Sequence, residues 1–346
     1  MEFPPLMTRI TITGTGAVTP AGWGVPSFIE ALDENLRPAP SELVRELAGH
    51  PPVVTSVLRV PPAPPTLPKG PRLRRVSPVS KFAVAAAVEA LGPERMARAA
   101  NGELRLGIVC ALMNGCVNYS NRFFGEVLAE PSVASPILFP ETVFNAPSSH
   151  LSSLFNSTAP NDTLLGDTAE IYTALEVATE WLLRGDCDGV LVVAPEELDW
   201  LSSEALQLYA SASLPAEGAA ALYLERDGDG PRLLSIPDPV SLAPGGDRSA
   251  ALREIATATG ATDDGKTLLA DSRSGVPSFD RHEDGVFSSW GGPHLSVRKT
   301  LGESFTASSG LQLVAAIEQL RRGIAERALV VTLGGNEQAA ACLISI

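Results

Sequence analysis

The sequence predicts an α/β protein of two related halves, with parallel or mixed sheets covered by helices on both faces. Strand-like and helix-like stretches alternate along both halves. The strand runs are apolar throughout, as in Gly189–Ala194 (GVLVVA), whereas a strand with one wet face would alternate with polar residues. The second half also echoes the first. Thr267–Asp271 (TLLAD) repeats Thr163–Asp167 (TLLGD), and Ala328–Leu333 (ALVVTL) repeats GVLVV.

Taken in order, Arg9–Gly14 (RITITG) alternates like a strand and leads into Gly-Thr-Gly, with a loop over Ala17–Gly24. Val25–Leu36 reads as a helix. Residues 37–72 are rich in proline, PPAPP included, and read as surface connection without periodicity. Ser80–Leu91 (SKFAVAAAVEAL) is a helix by its alanines and spaced apolar residues. Leu106–Met113 is a buried strand, and residues 115–160 mix loop and helix, with a helix starting at Asn145-Ala146-Pro147-Ser148. Beyond the central corner lie strands at Gly189–Ala194 and Ala219–Glu225 and a turn at Asp227–Pro231. The second half runs strand Arg232–Ile236, helix Ala250–Thr259, strand Thr267–Asp271, helix Ser308–Arg322 entered through Gly302–Phe305, and strands Ala328–Leu333 and Ala341–Ile346. The expected division is 7–225 and 232–346.

The stretch Thr163–Glu170 (TLLGDTAE) organises the rest. Apolar residues run into a tight Gly-Asp-Thr turn, and Ile171–Leu183 continues at helical spacing. Such a strand–turn–helix corner holds a side chain at a helix N-terminus, where the dipole stabilises developing negative charge. The residue at the tip is Thr168, a poor nucleophile without a base. Its plain structural role is a helix cap, shared with Asp167.

Composition narrows the function. The formal net charge of −14 argues against nucleic acid or an anionic membrane as principal partner. Hydrophobic residues make up 45% of the 346, enough for a large core. The four cysteines, Cys110, Cys116, Cys187 and Cys342, form no CxxC pair, and the four histidines are scattered, so no metal site is expected. The first residues lack a signal-peptide core and no apolar run reaches roughly 18 residues, so a cytoplasmic protein is expected, with Met7 a candidate start. No cofactor is implied.

Several stretches together resemble a β-ketoacyl synthase, a condensing enzyme of the thiolase-like fold. ITGTGAVTPAGWG is similar to the family's opening "ITGxGxVxPxG", and Arg75–Leu91 to its "R…A…AAxEAL" helix. SHLSSLFNSTAPNDTLLGDTAE keeps the spacing to "GPNxxxxTAC", EGAAALYLE (Glu217–Glu225) resembles "EGAGxLVLE", and Gly334-Gly335-Asn336 resembles "GFGGxN". The EGAAALYLE stretch sets the chain apart from thiolases proper. The resemblance covers nearly the whole chain and implies a five-layer α/β/α/β/α fold, with Thr163–Leu183 and Phe305–Arg322 side by side at its centre. It also implies a dimer joined through the strand before the corner.

The family's chemistry uses a Cys that is acylated and two His that drive decarboxylation and hold the resulting charge. Carried over by position, the Cys falls on Thr168, the first His near Ser272, and the second on Glu303. Asp280 matches the closing Asp of "HGTGTxxND", and Arg298 or Lys299 the Lys before "GH". The "FDxxxDGF" stretch is missing, with only YASASLPA in its place. The resemblance therefore narrows to a chain-length-factor-type subunit, which shares the fold, lacks the Cys and pairs with an active ketosynthase in type II polyketide or fatty-acid-like biosynthesis. Many such subunits carry Gln where Thr168 stands. The GESF…LQ stretch is closer to the short synthase-like proteins of aryl-polyene-type pathways.

The cleft candidates are thus Asp167, Thr168, Ser272, Ser274, Asp280, Lys299, Glu303 and Asn336. Glu303 facing Asp167 would make a carboxylate pair fit for acid–base work; its plain role is a dipole partner at a helix entry. Ser272 and Ser274 read as loop hydroxyls. Lys69, Arg72, Arg74, Arg75 and Lys81 form a basic run in an acidic protein, either a solvated face or a dock for an acidic acyl carrier protein. Three functions stand open: the non-catalytic partner subunit, a hydrolase or acyltransferase built on Thr168, Asp167 and Glu303, and a homodimeric acyl-binding protein.

Overall fold

The computed structural model describes residues 9–62, 67–68, 73, 75–243, 245–335 and 338–346. Met1–Met7, Lys69, Arg72, Arg74 and Asn336 lie outside them. The chain opens with β1 (Ile10–Thr19), β2 (Gly22–Trp23), α1 (Val25–Asp33), a hairpin of β3 (Ser41–Leu47) and β4 (His50–Val57), and α2 (Pro78–Ala100). There follow β5 (Leu106–Leu112), α3 (Val117–Ala129), α4 (Ala146–Leu154), β6 (Asn161–Leu165), α5 (Glu170–Arg184), β7 (Gly189–Glu196), α6 (Trp200–Tyr209) and β8 (Gly218–Arg226). The remainder is β9 (Arg232–Ser235), β10 (Val240–Ser241), α7 (Arg248–Ala258), β11 (Leu268–Asp271), α8 (Pro277–Phe287), β12 (His294–Ser296), α9 (Val297–Leu301), α10 (Thr306–Arg321), β13 (Arg327–Leu333) and β14 (Gln338–Ser345).

The strands run in the order β12-β11-β13-β14-β9-β1-β8-β7-β5-β6. Read inward from either end the pattern is the same. β6, β5 and β7 pair parallel, then β8 and β1 antiparallel; β12, β11 and β13 pair parallel, then β14 and β9 antiparallel. The two sets join where β1 meets β9 at Thr11 and Arg232.

Alternation along each strand shows the layers. In β5, Val109 and Ala111 enter one core while Leu106, Ile108 and Cys110 enter another. In β13, Ala328 and Val330 join the first core and Leu329 and Val331 a third. The shared core is filled by α5 (Ile171, Leu175, Leu182) and α10 (Leu313, Val314, Ile317). The outer cores are closed by α2 and α4 on one side and by α7 and α8 on the other. The layers are therefore helix, sheet, central helices, sheet, helix, and the inner strands β5, β7, β8, β13 and β14 are buried on both faces. That is why the strand runs carry no polar alternation.

Several local expectations need correction. Residues 37–72 contain the β3–β4 hairpin, turning at Gly49, whose φ of +75° suits glycine. Pro51 and Pro52 stand at a shift of register between Arg45 and Leu47, where the ladder needs no donor from them. The Gly-Thr-Gly after RITITG does not end the strand. Gly14 and Gly16 stay in β1 because α2 crosses there: a Cβ at Gly16 would lie 2.0 Å from the Ala86 carbonyl oxygen. The helix read as Ser80–Leu91 extends from Pro78 to Ala100 across a break at Gly92 and Pro93. Helices α6 and α8 were not expected. Each starts on a legible signal: Asp199 accepts from the Ser202 N–H at 2.8 Å, and Pro277 opens α8.

At Gly310, α10 packs closely on β8 and on α5. A Cβ there would lie 2.6 Å from Ala220 Cβ and 3.0 Å from Ile171 Cδ1. Alanine would gain about 1 kcal/mol of helix propensity, but overpacking a filled core costs about 1–3 kcal/mol. Gly310→Ala is therefore expected to lower the denaturant midpoint despite the propensity gain. A raised midpoint at unchanged m-value would show that α10 has room to shift away from β8 and α5.

Candidate functional site

One cavity of about 340 Å³ opens where the corner before α5, the loop before α10 and the ends of β11 and β13 converge. Thr168, Ser272 and Glu303, far apart in sequence, all line it, together with Asp167, Ser274 and Asp280. Lys299 is exposed and does not line it; its neighbour Arg298 does. Over the mouth lies α6, contributing Leu201, Ala205, Leu206 and Tyr209.

Each side chain is held by its local backbone. Asp167 Oδ1 accepts from the Ala169 N–H at 2.8 Å, and Oδ2 from the Gln338 N–H at 3.3 Å. It thus ties the corner to β14. Thr168 does not cap the helix. It is 5% exposed, and its Oγ1 is buried without a hydrogen-bond partner among the described residues. Glu303 Oε2 pairs with Arg298 Nη1 at 3.0 Å, and Oε1 accepts from the Phe305 N–H at 2.8 Å. Of the two basic residues set against the family's Lys, Arg298 is the one that holds Glu303, and its Nη2 also donates to Ser309 Oγ at 3.0 Å. Phe305 adopts φ +51° to make this tight entry into α10.

The loop after β11 is stitched by two carboxylates. Asp280 accepts from the Ser274 N–H and the Gly275 N–H, both at 2.9 Å. Glu283 Oε2 accepts from the Ser272 N–H at 3.0 Å and Oε1 from the Ser272 hydroxyl, while the Leu333 N–H donates to Ser272 Oγ at 3.0 Å. Burial, aided by the nearby charge of Asp271, pushes the Glu283 carboxyl up to about 7.

Sequence reasoning missed Glu283 and Arg248. Glu283 follows Asp280 by one helical turn, so i,i+3 spacing on α8 was a usable signal. Arg248 carried none. It donates to the carbonyls of Gly334 and Gly335, and burial pulls its guanidinium below the ordinary value.

The site holds no thiol and no imidazole. All four cysteines are buried outside the cavity, and desolvation pushes Cys110 and Cys116 up to about 12, Cys187 to about 11 and Cys342 higher still. His150 pairs with Glu141 at 2.5 Å, and His50, His282 and His294 also lie elsewhere.

The sequence model described as "Beta-ketoacyl synthase, N-terminal domain" matches residues 7–230. The chain belongs to the β-ketoacyl synthase family. No curated protein matches it by sequence. Among solved structures, this synthase-family chain is similar to a ketosynthase in complex with its chain length factor from Xenorhabdus doucetiae, with TM-score 0.81, 15% identity and full coverage of both chains. It is also similar to a β-ketoacyl synthase from Burkholderia phymatum, with TM-score 0.78, 17% identity, and 98% of this chain and 100% of that one covered. A third is the ishigamide ketosynthase/chain length factor, at 0.77 and 17%, covering 98% and 99%. The five layers are therefore the thiolase-like fold. Among the described residues no helix is long and apolar enough to cross a membrane.

Burial raises Glu196, Glu197 and Glu283, each to about 7 from an ordinary 4.5. Each binds a proton on folding between those values, so its contribution to stability is present at low pH and is lost as pH rises through about 7. One such shift corresponds to at most roughly 3 kcal/mol. The melting temperature is expected to fall from pH 5 to pH 8, and Glu283→Gln, which stays neutral, is expected to flatten that slope. An unchanged slope in the variant would show that Glu283 titrates normally.

Proposed function

We propose that this chain is a non-condensing, chain-length-factor-type subunit that pairs with an active β-ketoacyl synthase in type II polyketide or fatty-acid-like assembly, the aryl-polyene kind included. The observation that carries this reading is the cavity itself. Thr168, Ser272 and Glu303, the residues that motif spacing sets against the family's Cys and two His, line it together, and Glu303 is paired with Arg298. Condensation needs an acylated thiol and a group to stabilise the carbanion. Loss of such groups together leaves little turnover. Two of the similar structures are named for a ketosynthase with a chain length factor, which supports the pairing.

The proposed partner surface is the edge of β6. Leu165 there is 50% exposed, and Phe124, Leu128, Ile137 and Phe139 add exposed apolar area on nearby elements. An unpaired strand edge beside exposed apolar side chains calls for a covering chain. For the acidic carrier protein the proposed dock includes Arg75, which is exposed, and the half-buried Lys81.

The purified chain is expected to form no ketoacyl product from acyl- and malonyl-carrier protein, and to restore activity when added to an inactive lone synthase. Product formed by the chain alone and abolished by Thr168→Ala would overturn this reading. The combined variant Arg75→Glu, Lys81→Glu is expected to weaken carrier-protein binding several-fold at low salt, and the difference should shrink as salt rises. Equal affinity at low salt would remove these residues from the dock.

A further inference from the structure

Ser272 and Glu283 form a pair that the partner-subunit role does not use. The Ser272 hydroxyl donates to Glu283 Oε1, and Oγ accepts from the Leu333 N–H at 3.0 Å. A hydroxyl oxygen has two lone pairs. One is taken by Leu333, so the other is left for attack, while the proton already points at a carboxylate. Glu283 is itself fixed by the Ser272 N–H at 3.0 Å. Both residues line the cavity.

Two further groups on that cavity wall suit the charge that such an attack would create. Thr168 Oγ1 and Arg298 Nε are buried and have no hydrogen-bond partner among the described residues, although both side chains are at least nine-tenths buried. A buried donor left unpaired costs about 1–3 kcal/mol, a cost recovered when an oxyanion accepts from it. The apolar residues Leu206, Phe279 and Phe305 line the same space and suit a hydrocarbon chain.

We propose that this cavity hydrolyses acyl thioesters, with Ser272 as nucleophile, Glu283 as general base, and Thr168 and Arg298 as oxyanion donors. Ser272 Oγ bonds to the thioester carbonyl carbon as its proton passes to Glu283. The C–S bond then breaks, and the thiol leaves with that proton. Water attacks the resulting Ser272 ester and gives its proton to Glu283, the C–O bond to Ser272 breaks, and the proton returns to Ser272 Oγ. The products are a carboxylic acid and a thiol, and water is the co-reactant. Burial pushes the Glu283 carboxyl up to about 7, the range in which a general base works near neutrality.

The test uses the full chain with octanoyl-N-acetylcysteamine, following released thiol, and a fluorophosphonate label located by mass spectrometry. Turnover above buffer hydrolysis and a label on Ser272 are expected. The rate should rise with pH through about 7. Ser272→Ala should abolish turnover and label, and Glu283→Gln should lower the rate about a hundredfold and remove the rise near neutrality. Thr168→Val should lower kcat with KM little changed, as loss of an oxyanion donor does. No turnover above buffer and no label on the wild-type chain would overturn the proposal, as would a label on Thr168 in place of Ser272. The labelling result does not depend on any variant folding.

Discussion

The rest of the structure depends on the burial of α5 and α10 against each other between two sheets. Gly310 lets α10 meet β8 and α5 at contact distance, and side chains from both sheets fill the space around the two helices. Because the pair is locked, the loops that lead into the two helices are locked as well. One carries Asp167 and Thr168 and the other carries Glu303. The cavity is where these entries meet the ends of β11 and β13, and its position follows from helix packing rather than from any contact between the residues that line it.

Within that cavity, charge is handled by local pairing. Glu303 is neutralised by Arg298 and a backbone N–H, and Asp280 and Glu283 hold the loop after β11 through backbone N–H groups. A carboxylate buried in this way must find a cation, a set of donors or a proton. Glu303 takes the first course and Asp280 the second, while Glu283 takes donors and, near neutrality, a proton. Glu303 is met by Arg298 from the preceding helix, and the Ser272 hydroxyl and N–H are met by Glu283.

Reading the strand runs and the corner from sequence worked because buried strands are apolar on both faces and the corner needs its Gly-Asp-Thr turn. Proline and glycine are the least legible from the chain alone, because their tolerance depends on what packs beside them. Pro51 and Pro52 are accommodated at a register shift, and Gly14 and Gly16 make room for α2, two circumstances that exist only across the fold. Asp167 and Thr168 are both cap candidates by their place in the chain, and the bond from the Ala169 N–H goes to Asp167.

The amino-acid sequence by itself determined the alternation of buried strands and helices, through hydrophobic patterning, and the family, through the order and spacing of its motifs, and both are carried locally by the chain. The tertiary structure decided which charges meet. That Glu303 pairs with Arg298, that Glu283 sits on Ser272 and is driven toward neutrality, and that Thr168 keeps an unpaired hydroxyl are outcomes of three-dimensional proximity and desolvation. Neither is encoded in spacing along the chain, because a carboxylate's partner and its dielectric surroundings are set by whatever the fold packs beside it.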